Sequence, residues 1–189
     1  MDRVRNVGRR EFIVVAGSVL TRAAALAAGT GASGPSVIML MRHAEDVGEN
    51  DFNLSPRGYE RAKALPKLFA SRLPKPDVII ATRASKSSNR PMETVEPLAR
   101  ELGMSIDNRF RDDDFEILAH DLLTDQRYAG KVVLVCWHHG KMRKLAKALG
   151  VGGAPDWPVT QFDHVWVIET KGGRAELKDV HEKLLDGDR

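Results

Sequence analysis

From Val37 onward the sequence alternates between short, continuous apolar runs and longer amphipathic stretches, and this alternation constrains the fold more than any other feature. Val37-Ile38-Met39-Leu40-Met41 and Val132-Val133-Leu134-Val135-Cys136-Trp137 are unbroken runs of strand length, and Asp77-Val78-Ile79-Ile80-Ala81 is a third candidate. Strands that are buried on both faces read this way, because helices cover the sheet on either side. The expectation is therefore an α/β domain of three layers, with a mostly parallel central sheet.

The amphipathic stretches supply the helices. Ser55-Pro56 combines an N-cap with proline at the first helical position and opens a helix towards Phe69, which Pro66 is expected to kink or end early. A second helix is expected over Pro91–Leu102, stopped by Gly103, a third over Phe115–Leu123, and a fourth over Lys141–Leu149, stopped by Gly150. A weak strand is expected around Met104 to Asp107. Phe162–Glu169 and Arg174–Val180 flank Lys171-Gly172-Gly173 and predict a C-terminal β-hairpin at the sheet edge.

Residues 1–34 do not share this pattern. An arginine-bearing start leads into the mostly apolar stretch Phe12–Ala28 and then into the small-residue run Gly29–Gly34, the order of a secretory signal. The apolar stretch has 17 residues, fewer than the ~20 of a membrane span, and contains Ser18, Thr21 and Arg22. Gly8-Arg9-Arg10-Glu11-Phe12-Ile13 resembles the twin-arginine export signal of bacteria. The expected organisation is an export leader over 1–34 and a single domain over 35–189, with the product in the periplasm or outside the cell. An uncleaved membrane-surface helix, or a disordered start to a cytoplasmic protein, is the alternative.

Charge gives no sign of a nucleic-acid partner. The net charge of +3 suggests basicity, yet residues 1–34 hold five of the 29 basic and two of the 26 acidic side chains, so the body carries 24 of each. Of 189 residues, 42% are hydrophobic, enough for one domain with a substantial core. Cys136 is the only cysteine, which excludes an intramolecular disulfide and a cysteine-based zinc site.

In open α/β sheets ligands bind beyond the carboxyl ends of the strands, so the residues following each apolar run are the candidates for chemistry. Arg42-His43-Ala44-Glu45 follows the first run, and Arg83 and Arg90 follow the second. The carboxylates Asp112-Asp113-Asp114 follow the weak strand, and His138-His139-Gly140 follow the last central run. Arginine forks match phosphoryl oxygens, helix N-termini add N–H donors, and a neutral imidazole can act as the nucleophile. A phosphate site assembled from several post-strand segments is the coherent reading.

These segments carry a family resemblance. Met41-Arg42-His43-Ala44-Glu45 resembles the Arg-His-Gly signature of the histidine phosphatase superfamily, which has the phosphoglycerate mutase-like fold, with Ala44 in place of the usual glycine. Leu54-Ser55-Pro56-Arg57-Gly58-Tyr59-Glu60-Arg61-Ala62 is similar to the start of that family's first helix. Ser88-Asn89-Arg90-Pro91-Met92-Glu93-Thr94 resembles its second arginine segment, and Val135-Cys136-Trp137-His138-His139-Gly140 its second histidine segment. The resemblance runs in order over residues 36 to 150. It implies that His43 is a nucleophile that becomes phosphorylated, and that Arg42, Arg90 and His139 hold the phosphate. His139 is preferred over His138 because glycine follows it directly. No metal or cofactor is implied.

The resemblance leaves the general acid open among Asp112, Asp113, Asp114 and Glu116, with Asp113 favoured. Arg90 and His139 are 49 residues apart, which is short for the capping insertions of sugar-phosphate mutases. An open site and hydrolysis are therefore expected, on a phosphorylated small molecule or a phosphoprotein. A phosphate-binding module without catalysis and a mutase are the alternatives. A cysteine-phosphatase loop does not fit, because six residues rather than five separate Cys136 from Arg143. Gly130-Lys131 and Gly140-Lys141 lack the following Ser or Thr of a nucleotide P-loop. His120, His164 and His181 read as structural or exposed, and Met39, Met41 and Trp137 as core.

Overall fold

A computed structural model describes residues 34–48, 51–171 and 174–188. The leader expected over 1–34 lies outside the described residues, apart from Gly34. Ten principal elements follow in order: β1 (Val37–Arg42), α1 (Pro56–Ser71), β2 (Val78–Ala81), α2 (Arg90–Leu102), β3 (Ile106–Asp107), α3 (Phe115–Thr124), β4 (Val132–Trp137), α4 (His139–Ala148), β5 (His164–Lys171) and β6 (Arg174–His181).

The strands form one sheet in the order β3-β2-β4-β1-β5-β6. The first four are mutually parallel, and β5 and β6 pair antiparallel, so the expected hairpin extends the β1 side of the sheet. Side-chain alternation divides the apolar runs between two cores. Met39, Met41, Ile79, Leu134 and Cys136 pack with Leu65, Leu68, Val95 and Leu98 of α1 and α2. Ile38, Leu40, Ile80, Val133, Val135 and Trp137 pack with Leu118, Leu122, Met142 and Leu145 of α3 and α4. The sheet is thus covered on both faces, as the unbroken runs required.

Two helix expectations need correction. Pro66 does not end α1, which continues to Ser71. Leu65, Leu68 and Phe69 bracket the proline and are buried against the sheet, so packing outweighs the lost hydrogen bond. Helix α4 begins at His139, two residues before the expected Lys141, and His138 is its N-cap. Helix α2 ends at Gly103, whose left-handed φ of 65° lets its N–H bond back to Ala99 O and Arg100 O.

Helix α1 also fixes the loop after β1. Ser55 caps the helix by accepting from Gly58 N, and its own Oγ and N both donate to Glu45 O, at 3.0 and 2.8 Å. Gly58 lies so close to that segment that an added Cβ would collide with the Glu45 carbonyl oxygen. The buried Arg61 donates to Glu45 (2.8 and 2.9 Å), to Glu182 (2.9 Å) and to both oxygens of Asp188 (2.7 and 2.9 Å). One guanidinium therefore ties the β1 loop to α1 and to the segment after β6.

Candidate active site

The carboxyl ends of β1, β2 and β4 open into a cavity of about 590 Å³, bordered by Arg42, His43, Asp46, Ser88, Arg90, Asp112, His138, His139, Val159 and Phe162. Parallel pairing explains why the first and last of the expected segments meet. Arg42 is level with Trp137 in the β1–β4 register, so His43 and His138, the next residue on each strand, leave the sheet together. Their ring centroids are 5.3 Å apart, edge to face.

His43 is 1% exposed. Its Nδ1 lies 2.7 Å from the carbonyl oxygen of Ala44, which can only accept, so Nδ1 carries the proton and Nε2 keeps a free lone pair. Burial is the main cause of a pKa lowered to about 2; the Ala44 bond opposes this, while Arg42, His138 and Arg90 reinforce it. The ring is therefore neutral at physiological pH. Ala44 is itself buried beside Leu54 and Ala62, where its methyl group fills space that glycine would leave open.

Arg42 and Arg90 are 4% and 8% exposed, respectively. The Arg42 guanidinium stacks 3.7 Å from the Phe162 ring centroid and donates to the carbonyl of Val159, while its buried Nε has no hydrogen-bond partner among the described residues. Burial lowers its pKa to about 10, which leaves it a cation at neutral pH. Arg90 is the first residue of α2; its Nε donates to Ser88 Oγ at 3.0 Å and its Nη1 to Asp46 Oδ2 at 2.7 Å. Asp46 was not among the expected residues. Its Oδ2 is also 3.7 Å from His43 Nε2 and 3.8 Å from Arg42 Nη2.

Both neighbouring histidines reach the cavity. His138 is in ring contact with His43, and His139 borders the same cavity from the first position of α4. His138 Nδ1 lies 3.1 Å from Asp112 Oδ1 and its Nε2 lies 3.0 Å from Ser88 Oγ, so a chain of contacts runs from Asp112 through His138 and Ser88 to Arg90. Asp113 does not enter the cavity. Its side chain is 83% exposed and pairs with Lys141 at 2.6 Å, which lowers its pKa. Asp114 is held by Arg111, and Glu116 is exposed in the first turn of α3. The 3₁₀ turn Asp112–Asp114 points its three carboxylates in different directions, and Asp112 is the one that borders the cavity.

Cys136 lies within β4, fully buried, and burial raises its thiol pKa well above the ordinary value. A thiolate nucleophile is therefore unfavourable at this position.

Among solved structures, the chain is similar to the protein histidine phosphatase SixA complexed with tungstate (13% identity, TM-score 0.53, covering 77% of this chain and 97% of that one). It is also similar to the alpha-ribazole phosphatase from Shigella flexneri (15%, 0.51, covering 81% and 100%) and to phosphoserine phosphatase from Entamoeba histolytica in complex with 3-phosphoglyceric acid (14%, 0.54, covering 79% and 99%). The fold is that of the histidine phosphatase superfamily. No protein-family model and no curated protein matches the sequence. The expected phosphoglycerate mutase-like architecture is the observed one.

Proposed function

We propose that this protein is a metal-independent phosphatase that forms a phosphohistidine intermediate on His43. The observation that carries the reading is the buried, neutral imidazole of His43, with its proton on Nδ1 and its Nε2 turned to the point, now held by Asp46 Oδ2, at which Arg90 and Arg42 converge. Nε2 would attack phosphorus while the guanidinium groups neutralise charge on the equatorial oxygens. A buried guanidinium N–H without a protein acceptor, as at Arg42 Nε, is the expected state of a donor that serves a ligand.

His138, rather than His139, takes the role of the second histidine in this proposal. Asp112 orients its ring, and exchange of Ser88 for a phosphoryl oxygen would bring Nε2 onto the substrate. The Asp112–His138 pair also replaces Asp113 as the source of the proton for the leaving oxygen. Water then attacks the phosphohistidine, passes a proton back to the pair and releases phosphate.

The mouth of the site supports hydrolysis. Between Arg90 and His139 the chain forms only α2, β3, α3, β4 and two short 3₁₀ turns, with no inserted cap, so water can reach a phosphoenzyme. The names of the similar structures, a protein histidine phosphatase and phosphatases of small esters, bracket the substrate class: a phosphohistidine-bearing protein or a small phosphate monoester. The direct test is phosphate release from an aryl phosphate in the presence of a chelator. His43→Ala should abolish it, and full activity in that variant would overturn the mechanism. Oxyanion binding without turnover on any substrate would favour the phosphate-binding module.

Export belongs to the same proposal. Arg9-Arg10 and the apolar stretch that follows support it, and fractionation with N-terminal sequencing tests it. An intact Met1 in the cytosol would refute it.

A further inference from the structure

The proposed function leaves Asp46 unexplained, and this residue occupies the most consequential point in the cavity. Its Oδ2 is 2.7 Å from Arg90 Nη1, 3.8 Å from Arg42 Nη2 and 3.7 Å from His43 Nε2. A reacting phosphoryl group must place phosphorus within about 3–3.5 Å of Nε2 and its oxygens within hydrogen-bond reach of the two arginines. Those requirements put a phosphoryl oxygen where Oδ2 now lies.

We propose that Asp46 is an internal competitor for the phosphoryl site, and that it weakens the hold of the site on every phosphoryl ligand, the orthophosphate product included. The inference rests on the reading of this cavity as a phosphate site. A phosphoryl oxygen cannot take the position that Oδ2 holds, and two anionic oxygens side by side there repel, so phosphate reaches Nε2 and both guanidinium groups together only when the Asp46 carboxylate leaves Arg90. With Asp46 in place, the two arginines and this carboxylate sum to a single positive charge. With it displaced, two positive charges face the incoming dianion. Displacement therefore costs the protein an ion pair that binding must replace.

That cost falls equally on every ligand, so it weakens all of them without ranking one against another. Orthophosphate, the product, has no other part with which to offset it and leaves readily. A substrate whose remainder touches the rim of the cavity can offset it from those contacts. The exposed side chain of Val159, at the border of the cavity, provides an apolar surface for such a remainder. Asp46 thereby keeps product retention low, and any preference for larger substrates comes from contacts at the rim.

The test is calorimetric titration of the full-length protein with orthophosphate, comparing wild type, Asp46→Asn and Asp46→Ala. Removal of the internal anion should tighten orthophosphate binding by at least about tenfold in both variants, and should raise product inhibition in parallel. Unchanged or weaker binding in both variants would overturn the inference. Tightening in Asp46→Asn alone would also overturn it, because the new amide would then be acting as a donor. If no variant and no wild-type sample binds orthophosphate, the phosphate-site reading fails together with the inference. If binding tightens in both variants while no substrate turns over, the inference holds and the catalytic reading fails.

Discussion

The carbonyl oxygen of Ala44 decides which nitrogen of His43 can react, since it accepts the Nδ1 proton and leaves Nε2 bare. Burial then keeps the ring neutral, and that has a thermodynamic sign. The unfolded chain protonates this histidine near pH 6.5, whereas the folded chain resists protonation down to about 2. Below pH 6.5 the unfolded state binds the additional proton, so the contribution of His43 to stability falls as pH drops, by up to ~1.4 kcal/mol per unit. The difference in unfolding free energy between wild type and His43→Gln should therefore change in that direction in denaturant titrations below pH 6.5; a pH-independent difference would contradict a buried neutral ring. At the same scale, His138→Ala should lower kcat by about a hundredfold or more, and His139→Ala by less than about tenfold. The ring contact between His43 and His138 was not legible in sequence, because it depends on the β1–β4 register that sets His138 level with His43. Asp46 was equally hidden. A carboxylate three residues after His43 has no pattern of its own, and it acquires meaning only when α2 delivers Arg90 to it.

At the scale of elements, the apolar runs marked β1, β2 and β4 to within a residue, because a strand buried on both faces leaves no polar position inside it. The Ser55-Pro56 start of α1 was legible for the same kind of local reason. Its end was not, because Leu68 and Phe69 stay helical through contacts with the sheet. What sequence could not reveal is why Gly58 and Arg61 belong to that helix. Gly58 lets it approach Glu45, and Arg61 holds Glu45, Glu182 and Asp188 together. Burial pushes the pKa of Glu182 up to about 8 against the pull of Arg61, so the charged carboxylate depends on that guanidinium. Arg61→Met should cost ~3–5 kcal/mol, because it strands buried carboxylates, and Gly58→Ala about 1–3 kcal/mol through forced separation of α1 from the loop. Chemical denaturation measures both. Activity should fall as well, since Glu45 lies two residues from His43.

For the molecule as a whole, the fold class and the meeting of four distant segments followed from one rule: strands in a parallel sheet present their carboxyl ends on a common edge. The open mouth follows from what is missing between α2 and α4, where the chain only crosses the sheet and returns. Under the proposed mechanism, water would have access to a phosphohistidine on His43. A phosphorylated sugar acid should accordingly release phosphate without isomerising, and chromatography of the products separates these outcomes; recovery of an isomerised ester would point to the mutase alternative.

Trp157 donates through its indole Nε1 to Gln161 O at 2.9 Å, and that carbonyl lies 3.5 Å from Arg42 Nη1. The protein therefore contains an optical probe two hydrogen bonds from the guanidinium proposed to hold the phosphoryl group. Phosphate that draws Arg42 forward should change the indole emission, so that saturation could be followed by tryptophan fluorescence without a label.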